Sequence, residues 1–406
     1  MIQDTRLERA KVAVGVAFTV SGLGYAGWLA RAPAIRADLN LNSAGFGLLL
    51  LCLSGAAVAA LPLSGPLVHR VGPARAVLLG SMSVALGLAG LAGGTALGSV
   101  PLAGLGLVLA GMGNSTWDVA MNVEGADVER RLGRTLMPRF HAGFSLGTVG
   151  GAGVGAAAAA LGIPVSAQLA GTALIVAAVM VPTVRQFVPH TVVAAGDRKP
   201  SGALGAWREP RTLLIGLVVL GFAFTEGSAN EWLAIALVDG YGSSQTIGAV
   251  GFGTFVAAMT VGRMAGGPLL QRWGRVVVLR VTVVSALAGL LLVVSGVAVP
   301  LALLGAVLWG FGASLGFPVG MSAAADDPLR AAVRVSVVSS IGYAAFLAGP
   351  PLIGFLAERF GVLSALLVVL GALTLGIVAS GATRPLAVPD DPVGGAPVGD
   401  TTAVQR

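Results

Sequence analysis

A duplicated glycine pattern restricts what this 406-residue chain can fold into more than any other feature. Segment 65–72, GPLVHRVG, recurs 202 residues later as GPLLQRWG at 267–274. Segment 106–115, GLVLAGMGNS, recurs 199 residues later as GAVLWGFGAS. Four glycines, Gly143, Gly150, Gly155 and Gly162, recur as Gly342, Gly349, Gly354 and Gly361, again at an offset of 199. The chain therefore has two similar halves, and its function must suit a molecule built from two related units.

The composition indicates a membrane protein. Hydrophobic residues make up 55% of the chain, charged residues make up 11%, and the mean hydropathy is +0.88. A soluble domain carries about 25% charged residues, so most of this surface must face lipid. The net charge of +7 comes from basic residues scattered in short loops, which argues against a nucleic-acid partner. With the lone Cys52, three scattered histidines and no P-loop, the sequence predicts no metal, no cofactor and no enzyme activity.

Twelve apolar segments are long enough to cross a bilayer, which takes about 20 residues each. They are 12–31, 43–68, 75–96, 98–123, 138–161, 164–184, 212–238, 244–270, 276–298, 300–322, 333–357 and 360–382. The sequence predicts an N-terminal six-helix bundle at 1–184 and a C-terminal one at 212–383. A polar linker, 185–211, joins the bundles, and the tail 384–406 is expected to be disordered.

The distribution of basic residues predicts the orientation. Of the 25 lysines and arginines, 21 fall in the termini, the linker and one set of loops. The other loops carry Arg31, Arg36 and Arg359, and Arg263 falls inside span eight, near its basic end. The positive-inside rule places both termini and the linker in the cytoplasm. Both GPL segments then lie on cytoplasmic loops six spans apart, so the repeats are parallel.

The chain resembles the major facilitator superfamily in its twelve spans, its 6+6 repeat and its linker. The loops GPLVHRVGPAR (65–75) and GPLLQRWGR (267–275) look like that superfamily's signature loop. The resemblance implies an all-α integral membrane fold, a monomer in the cytoplasmic (inner) membrane, and gating by the loop residues His69, Arg70, Gln271 and Arg272. His69 and Gln271 stand where the family has an acid that forms an ionic latch between the halves.

A narrower resemblance, to a bacterial branch related to the fucose permeases, lies in span four and in the segments WLARAP (28–33) and EGSANEW (226–232). Fucose permeases carry a carboxylate and then an asparagine in span four, and Asp118 and Asn122 match that spacing. They also carry a proton-coupling aspartate in span one, whereas residues 22–28 here contain no acid. Sugar–proton symport of that type is therefore not carried over intact.

Acids inside spans are the candidates for proton coupling, because a carboxylate in the bilayer costs roughly 2.5–3.5 kcal/mol on insertion scales. Glu226, deep in span seven with no basic residue at similar depth, is the first choice, and we expect it to be neutral at rest. Asp118 is the second choice, or a substrate contact. Its alternative role is to pair with a loop arginine.

Further residues are expected near the gates. Glu231, towards the outer end of span seven, is interpreted as a solvated or gating residue. His141, one turn into span five, is a candidate pH sensor or an interfacial histidine. Glu124, Asp127 and Glu129, beside three arginines, are interpreted as a solvated or interdomain charge cluster.

Amide and aromatic side chains are the candidates for substrate binding, because amides orient polar solutes and aromatic faces stack on rings. They are Tyr25, Trp28, Asn114, Trp117, Asn122, Asn230 and Trp309, with Asp118. The alternative for Trp28, and for Trp232 in the second half, is the aromatic belt at the outer membrane surface.

The sequence thus predicts a secondary active transporter that moves a small polar, sugar-like solute by alternating access, coupled to protons. Proton-antiport export of drugs or metabolites is the first alternative. A non-transporting membrane sensor on the same fold is the second.

Overall fold

The computed structural model describes residues 2–133, 136–188, 203–327 and 330–386. Four of the basic residues on which the predicted orientation depends, Arg134, Arg198, Lys199 and Arg406, lie outside these ranges, as do most of the linker and tail. The described ranges form helices and connecting turns, without strands. The helices are α1 (Ile2–Leu29), α2 (Ala32–Asp38), α3 (Ser43–Val71), α4 (Pro73–Leu97), α5 (Val100–Leu132), α6 (Met137–Ala160), α7 (Val165–Thr183), α8 (Ala203–Ala206), α9 (Pro210–Ile235), α10 (Gln245–Val294), α11 (Val299–Ala313), α12 (Gly316–Ala324), α13 (Ala331–Phe360), α14 (Val362–Ala365) and α15 (Val368–Ala379).

Ten helical segments in the described ranges are long and apolar enough to cross a membrane. Two features relate this number to the twelve predicted spans. Helix α10 has 50 residues and holds both span eight and span nine. Helix α5 is span four, and its 33 residues are long enough, but the polar stretch 114–118 lowers its hydropathy. The predicted twelve-span, all-helical fold is confirmed.

The signature loop has the same backbone turn in both halves. Gly72 ends α3 with φ +83°, and Gly274 interrupts α10 with φ +73°. A side chain at either position would be strained, because a positive φ brings Cβ against the neighbouring backbone. The repeated glycine therefore makes the turn that reverses span two into span three, and span eight into span nine.

Repeat-related glycines also set the distance between helices. A Cβ on Gly111 would overlap the carbonyl oxygen of Leu53, where α5 crosses α3. A Cβ on Gly310 would overlap the carbonyl oxygen of Phe255, where α11 crosses α10. Glycine lets membrane helices approach to backbone contact, and both halves use it at the same crossing.

A second repeated contact is a hydrogen bond between neighbouring helices. The Ser83 hydroxyl donates to the carbonyl of Leu109 at 2.7 Å, and the Ser285 hydroxyl donates to that of Leu308 at 2.8 Å. The serines are 202 residues apart and the acceptors 199 residues apart, which are the offsets of the sequence repeat. The halves therefore share their packing as well as their sequence pattern.

The two halves meet at one end of the molecule. We call this end the arginine-poor face, because its loops carry only Arg31, Arg36 and Arg359 within the described residues. Arg36 on α2 forms an ion pair with Asp239, just after α9. The backbone N–H of Ser43 donates to Glu358 at 3.1 Å. These are the bonds that join the halves within the described ranges, and both lie at this face. The opposite end, with the signature loops, is the arginine-rich face.

Helix α5 continues past the predicted end of span four, and this changes the environment of two acids there. Glu124 is fully buried and accepts a hydrogen bond from the backbone N–H of Val188 at 2.8 Å. Asp127 is 4% exposed and pairs with Arg130 and Arg131, one turn further along α5. The interpretation of Glu124 and Asp127 as a solvated or interdomain cluster is wrong, because both side chains are buried and their partners lie on α5 itself or, for Val188, a few residues after α7.

Glu129 caps the next helix. Its carboxylate accepts hydrogen bonds from the backbone N–H groups of Leu136 and Met137, at 2.6 and 2.7 Å. These two bonds hold the pKa of the Glu129 carboxyl below its usual range, Met137 contributing most. The first N–H groups of a helix have no partner within it, so Glu129 fixes the point where α6 begins.

Candidate functional site

A cavity of about 200 Å³ lies between the halves, walled by α1, α3, α4 and α5 of the N-terminal half and by α9 and α13 of the C-terminal half. Four predicted substrate-binding residues meet on its wall: Tyr25, Trp28, Asn114 and Asp118. These residues lie on α1 and α5, two helices that are not related to each other by the sequence repeat. The packing of these helices brings their polar positions together.

Asp118 projects from α5 into this cavity and is exposed there. The Asn122 amide donates to the Asp118 carboxylate at 3.2 Å and to its backbone carbonyl at 2.8 Å. Residues four apart stand above one another on a helix, so the spacing seen in the sequence becomes a direct contact. Asn122 supports Asp118 without itself being part of the cavity wall.

Glu231 lies on the cavity wall opposite the N-terminal half. Its residue is 9% exposed, and it has no hydrogen-bond or ion-pair partner among the described residues. The expectation of a solvated residue at the outer end of span seven is therefore wrong. Helix α9 is covered by α10, α13 and α15, so even its last turns are buried within the protein.

Glu226 is paired, contrary to the sequence-based expectation. The Arg263 guanidinium donates to both Glu226 carboxylate oxygens at 3.0 Å, which makes a charge-assisted pair. Glu226 lies 16 residues from Pro210, about 24 Å along α9, and Arg263 lies 11 residues before Gly274, about 16 Å from that turn. The long arginine side chain spans the difference between these two depths. Counting positions along each span separately did not reveal this contact. Glu226 does not line the cavity.

Two tryptophans near the arginine-poor face are buried. Trp28 is 3% exposed and lies on the cavity wall, and Trp232 is fully buried. Trp232 packs edge-on against Phe46 of the other half, with ring centroids 6.0 Å apart. The aromatic-belt interpretation is therefore wrong for both residues.

Three other predicted binding residues lie away from the cavity. Trp117 and Trp309 are fully buried, and their indole N–H groups have no acceptor among the described residues. Trp309 packs edge-on against Phe255 within the C-terminal half. Asn230 is 6% exposed and is not on the cavity wall. Full burial without a described hydrogen-bond acceptor favours a packing role for Trp117 and Trp309.

The sequence interpretation missed two aromatic residues of the wall, Tyr343 and Phe346 on α13. Their rings are 6.5 Å apart and tilted by 43°. A signal was present, because Tyr343 occupies the position that is related by the repeat to Phe144. The Tyr343 hydroxyl is therefore a difference between the two halves, and it lies on α13, which forms part of the cavity wall.

The predicted gating residues of the signature loops are exposed at the arginine-rich face: His69, Arg70, Gln271 and Arg272. Arg272 lies 5.7 Å from the ring centroid of Trp273, and no ion pair of these four appears in the described ranges. In the second half, Arg275 instead bonds to Asp326 at 2.8 and 2.9 Å. That pair is internal to the C-terminal half.

His141 is exposed on α6, and its ring meets Phe18 edge-on at 5.1 Å. It is near enough to Arg263 for their charges to interact, although the two residues belong to different halves. His141 therefore lies within electrostatic range of a basic residue of the other half.

The sequence matches the family model described as Major Facilitator Superfamily over residues 12–328 and 230–400. The chain belongs to the major facilitator superfamily. The uncharacterised transporter y4wD of Sinorhizobium fredii is 33% identical over 347 residues, covering 85% of this chain and 90% of that protein.

Solved structures share the fold of this superfamily member. The nucleoside transporter NupG, in a point-mutant form, matches with a TM-score of 0.76 and 15% identity over 92% of this chain and 98% of that one. A point mutant of the Escherichia coli fucose:proton symporter FucP matches with a TM-score of 0.60 and 14% identity, over 92% of this chain and 98% of that one. The protein is therefore a multi-pass membrane transporter of this superfamily.

Proposed function

We propose that this transporter carries a small polar organic solute of sugar-like size across the cytoplasmic membrane by alternating access, driven by protons. The cavity between the halves carries the argument, because it combines two carboxylates, Asp118 and Glu231, with aromatic and hydroxyl side chains. Ligand sites of this kind place a few polar groups among aromatic walls. Since one chain supplies the whole wall, the unit of transport is a monomer.

The arginine-rich face is assigned to the cytoplasm by the positive-inside rule, with both termini on that side. The halves are then joined at the outside by the Arg36–Asp239 pair and the Ser43–Glu358 hydrogen bond. Asp118 is exposed while Glu231, nearer the outside, is buried. This arrangement fits the inward-facing state of the cycle.

Asp118 is the proposed proton carrier. It is exposed within the cavity, and its described hydrogen-bond donor is the neutral amide of Asn122. Glu226 is held by the Arg263 guanidinium, whereas Asp118 has no ion-pair partner among the described residues, so proton transfer at Asp118 breaks no ion pair. The coupling role therefore moves from the first sequence candidate to the second.

The test is Asp118→Asn in proteoliposomes. Each unit of pH difference is worth about 1.4 kcal/mol per proton, or tenfold accumulation at a one-to-one stoichiometry. We expect the variant to lose accumulation driven by an imposed proton gradient and to keep exchange of labelled solute between the two sides. Accumulation equal to wild type would overturn Asp118 as the carrier.

Export by proton antiport is the second candidate, favoured by the negative charge of the cavity wall, which suits cationic compounds. The direction follows from the same vesicles, prepared with either orientation. Solute movement with the proton gradient supports uptake by symport, and movement against it supports export.

A further inference from the structure

The charges on the cavity wall all have one sign. Asp118 and Glu231 line it, and no lysine, arginine or histidine is found among the described residues of the wall. The nearby Arg263 is already engaged by both carboxylate oxygens of Glu226. The cavity therefore has carboxylates without a cation of its own.

Glu231 is the unusual member of this wall. It is about nine-tenths buried, faces the cavity and has no partner among the described residues. A buried charge is costly unless it is paired, and pairing it with a ligand cation recovers that cost. The positive charge that balances the Glu231 carboxylate must come from the cavity's occupant or from a proton.

The rest of the wall is suited to an organic cation with a ring. Tyr25, Trp28, Tyr343 and Phe346 contribute aromatic rings to the same cavity. Aromatic faces attract ammonium groups and also pack against apolar ring atoms. A volume of about 200 Å³ lies below the usual range for drug-sized ligands, roughly 300–1,000 Å³, and so selects a small molecule.

We propose that the transported solute is a small organic amine whose ammonium group pairs with Glu231 while its ring packs against the aromatic wall. Asp118 remains available for the coupled proton. This assignment rests on the proposed transport function and specifies its substrate class.

The experiment measures binding to the purified full-length protein in detergent by ligand-dependent thermal stabilisation. Two matched pairs of probes are titrated: glucosamine against glucose, and 2-phenylethylamine against 2-phenylethanol. We expect at least one amine to bind at least about tenfold more tightly than its alcohol partner, because losing one member of a buried charge pair typically costs that much or more.

Two variants connect the preference to Glu231. Glu231→Gln is expected to abolish the difference between amine and alcohol, and Glu231→Asp, which keeps the charge, is expected to retain part of it. The double variant Glu226→Gln with Arg263→Gln is the matched control, since it makes the same change five residues earlier on α9, outside the cavity, without leaving a free guanidinium, and it should keep the amine preference. The melting temperature without ligand shows that each variant is folded.

The amine assignment is overturned if the members of both pairs bind equally, if the alcohols bind more tightly, or if neither amine binds. It is also overturned if the amine preference survives in folded Glu231→Gln. Proton-driven uptake of a neutral solute would leave the proposed function standing in that case. Amine binding without any transport in vesicles would overturn the proposed function, and with it the amine as a transported solute, while the amine would remain a ligand of Glu231.

Discussion

Arg263 decides the chemistry of Glu226. Its guanidinium holds both carboxylate oxygens, and its Nε lies 3.4 Å from the carbonyl of Ser314. The side chains of Glu226 and Arg263 are 18% and 32% exposed, so the pair is only partly hidden from water. The pair lies within the C-terminal half and outside the cavity wall, which suits a structural role.

A double-mutant cycle tests this pairing. Glu226→Gln, Arg263→Gln and the double variant are compared by their free energies of unfolding in mixed micelles. We expect a coupling energy of about 1–2 kcal/mol, between the values for exposed and fully buried pairs. Additivity of the two single effects within about 0.5 kcal/mol would show that the carboxylate and guanidinium do not stabilise each other.

At the scale of helices, glycine fixes the crossings of spans two with four and eight with ten. Gly111 and Gly310 each face a carbonyl oxygen of the neighbouring helix with no room for a methyl group. The two crossings have the same chemistry because the duplication conserved both the glycine and the helix path. Close packing of this kind transmits small volume changes into strain.

Gly111→Ala and Gly310→Ala are therefore expected to lower the free energy of unfolding by about 1–3 kcal/mol each, through overpacking. Gly171→Ala is the control, since this glycine in the middle of α7 has open space at the Cβ position and the change should be neutral or stabilising by about 0.4–1 kcal/mol. Thermal melting in detergent measures all three. Equal effects at Gly111 and Gly171 would contradict the close approach seen at Gly111.

At the scale of the whole molecule, the bonds between the halves lie at the arginine-poor face within the described residues. Arg36 also donates to the Ser43 hydroxyl at 3.3 Å, so one arginine connects the ion pair to the adjacent start of α3. Opening the cavity at this face requires these bonds to break. In the proposed alternating-access cycle, they therefore stabilise the state in which the arginine-poor face is closed.

Arg36→Ala should shift the population towards the opposite state. The reporter is Ser54→Cys on the cavity wall, in a Cys52→Ser background that removes the single native cysteine. Labelling by an impermeant maleimide added outside should rise several-fold, since a partly exposed ion pair contributes roughly 1 kcal/mol.

Arg75→Ala removes an exposed arginine at the other face and serves as the control for this labelling. Unchanged labelling in Arg36→Ala, or an equal rise in Arg75→Ala, would show that the Arg36–Asp239 pair does not hold the closed face.

The spans, the two-fold repeat and the superfamily could be predicted from the order of residues alone, because lipid dictates span length and a duplication leaves matching glycines. The sequence also identified Asp118, Asn114, Tyr25 and Trp28, since polar groups in apolar segments are rare enough to stand out. The pairing of Glu226 and the lack of a described partner for Glu231 became visible in the folded molecule.

The partners of Glu226 and Glu231 depend on neighbouring helices. Arg263 lies 37 residues from Glu226, and it reaches the carboxylate because α9 and α10 pack side by side. Glu231 is buried because other helices cover the end of α9. Hydropathy and spacing describe one helix at a time, whereas charge pairing and burial are set by the surfaces that helices present to one another.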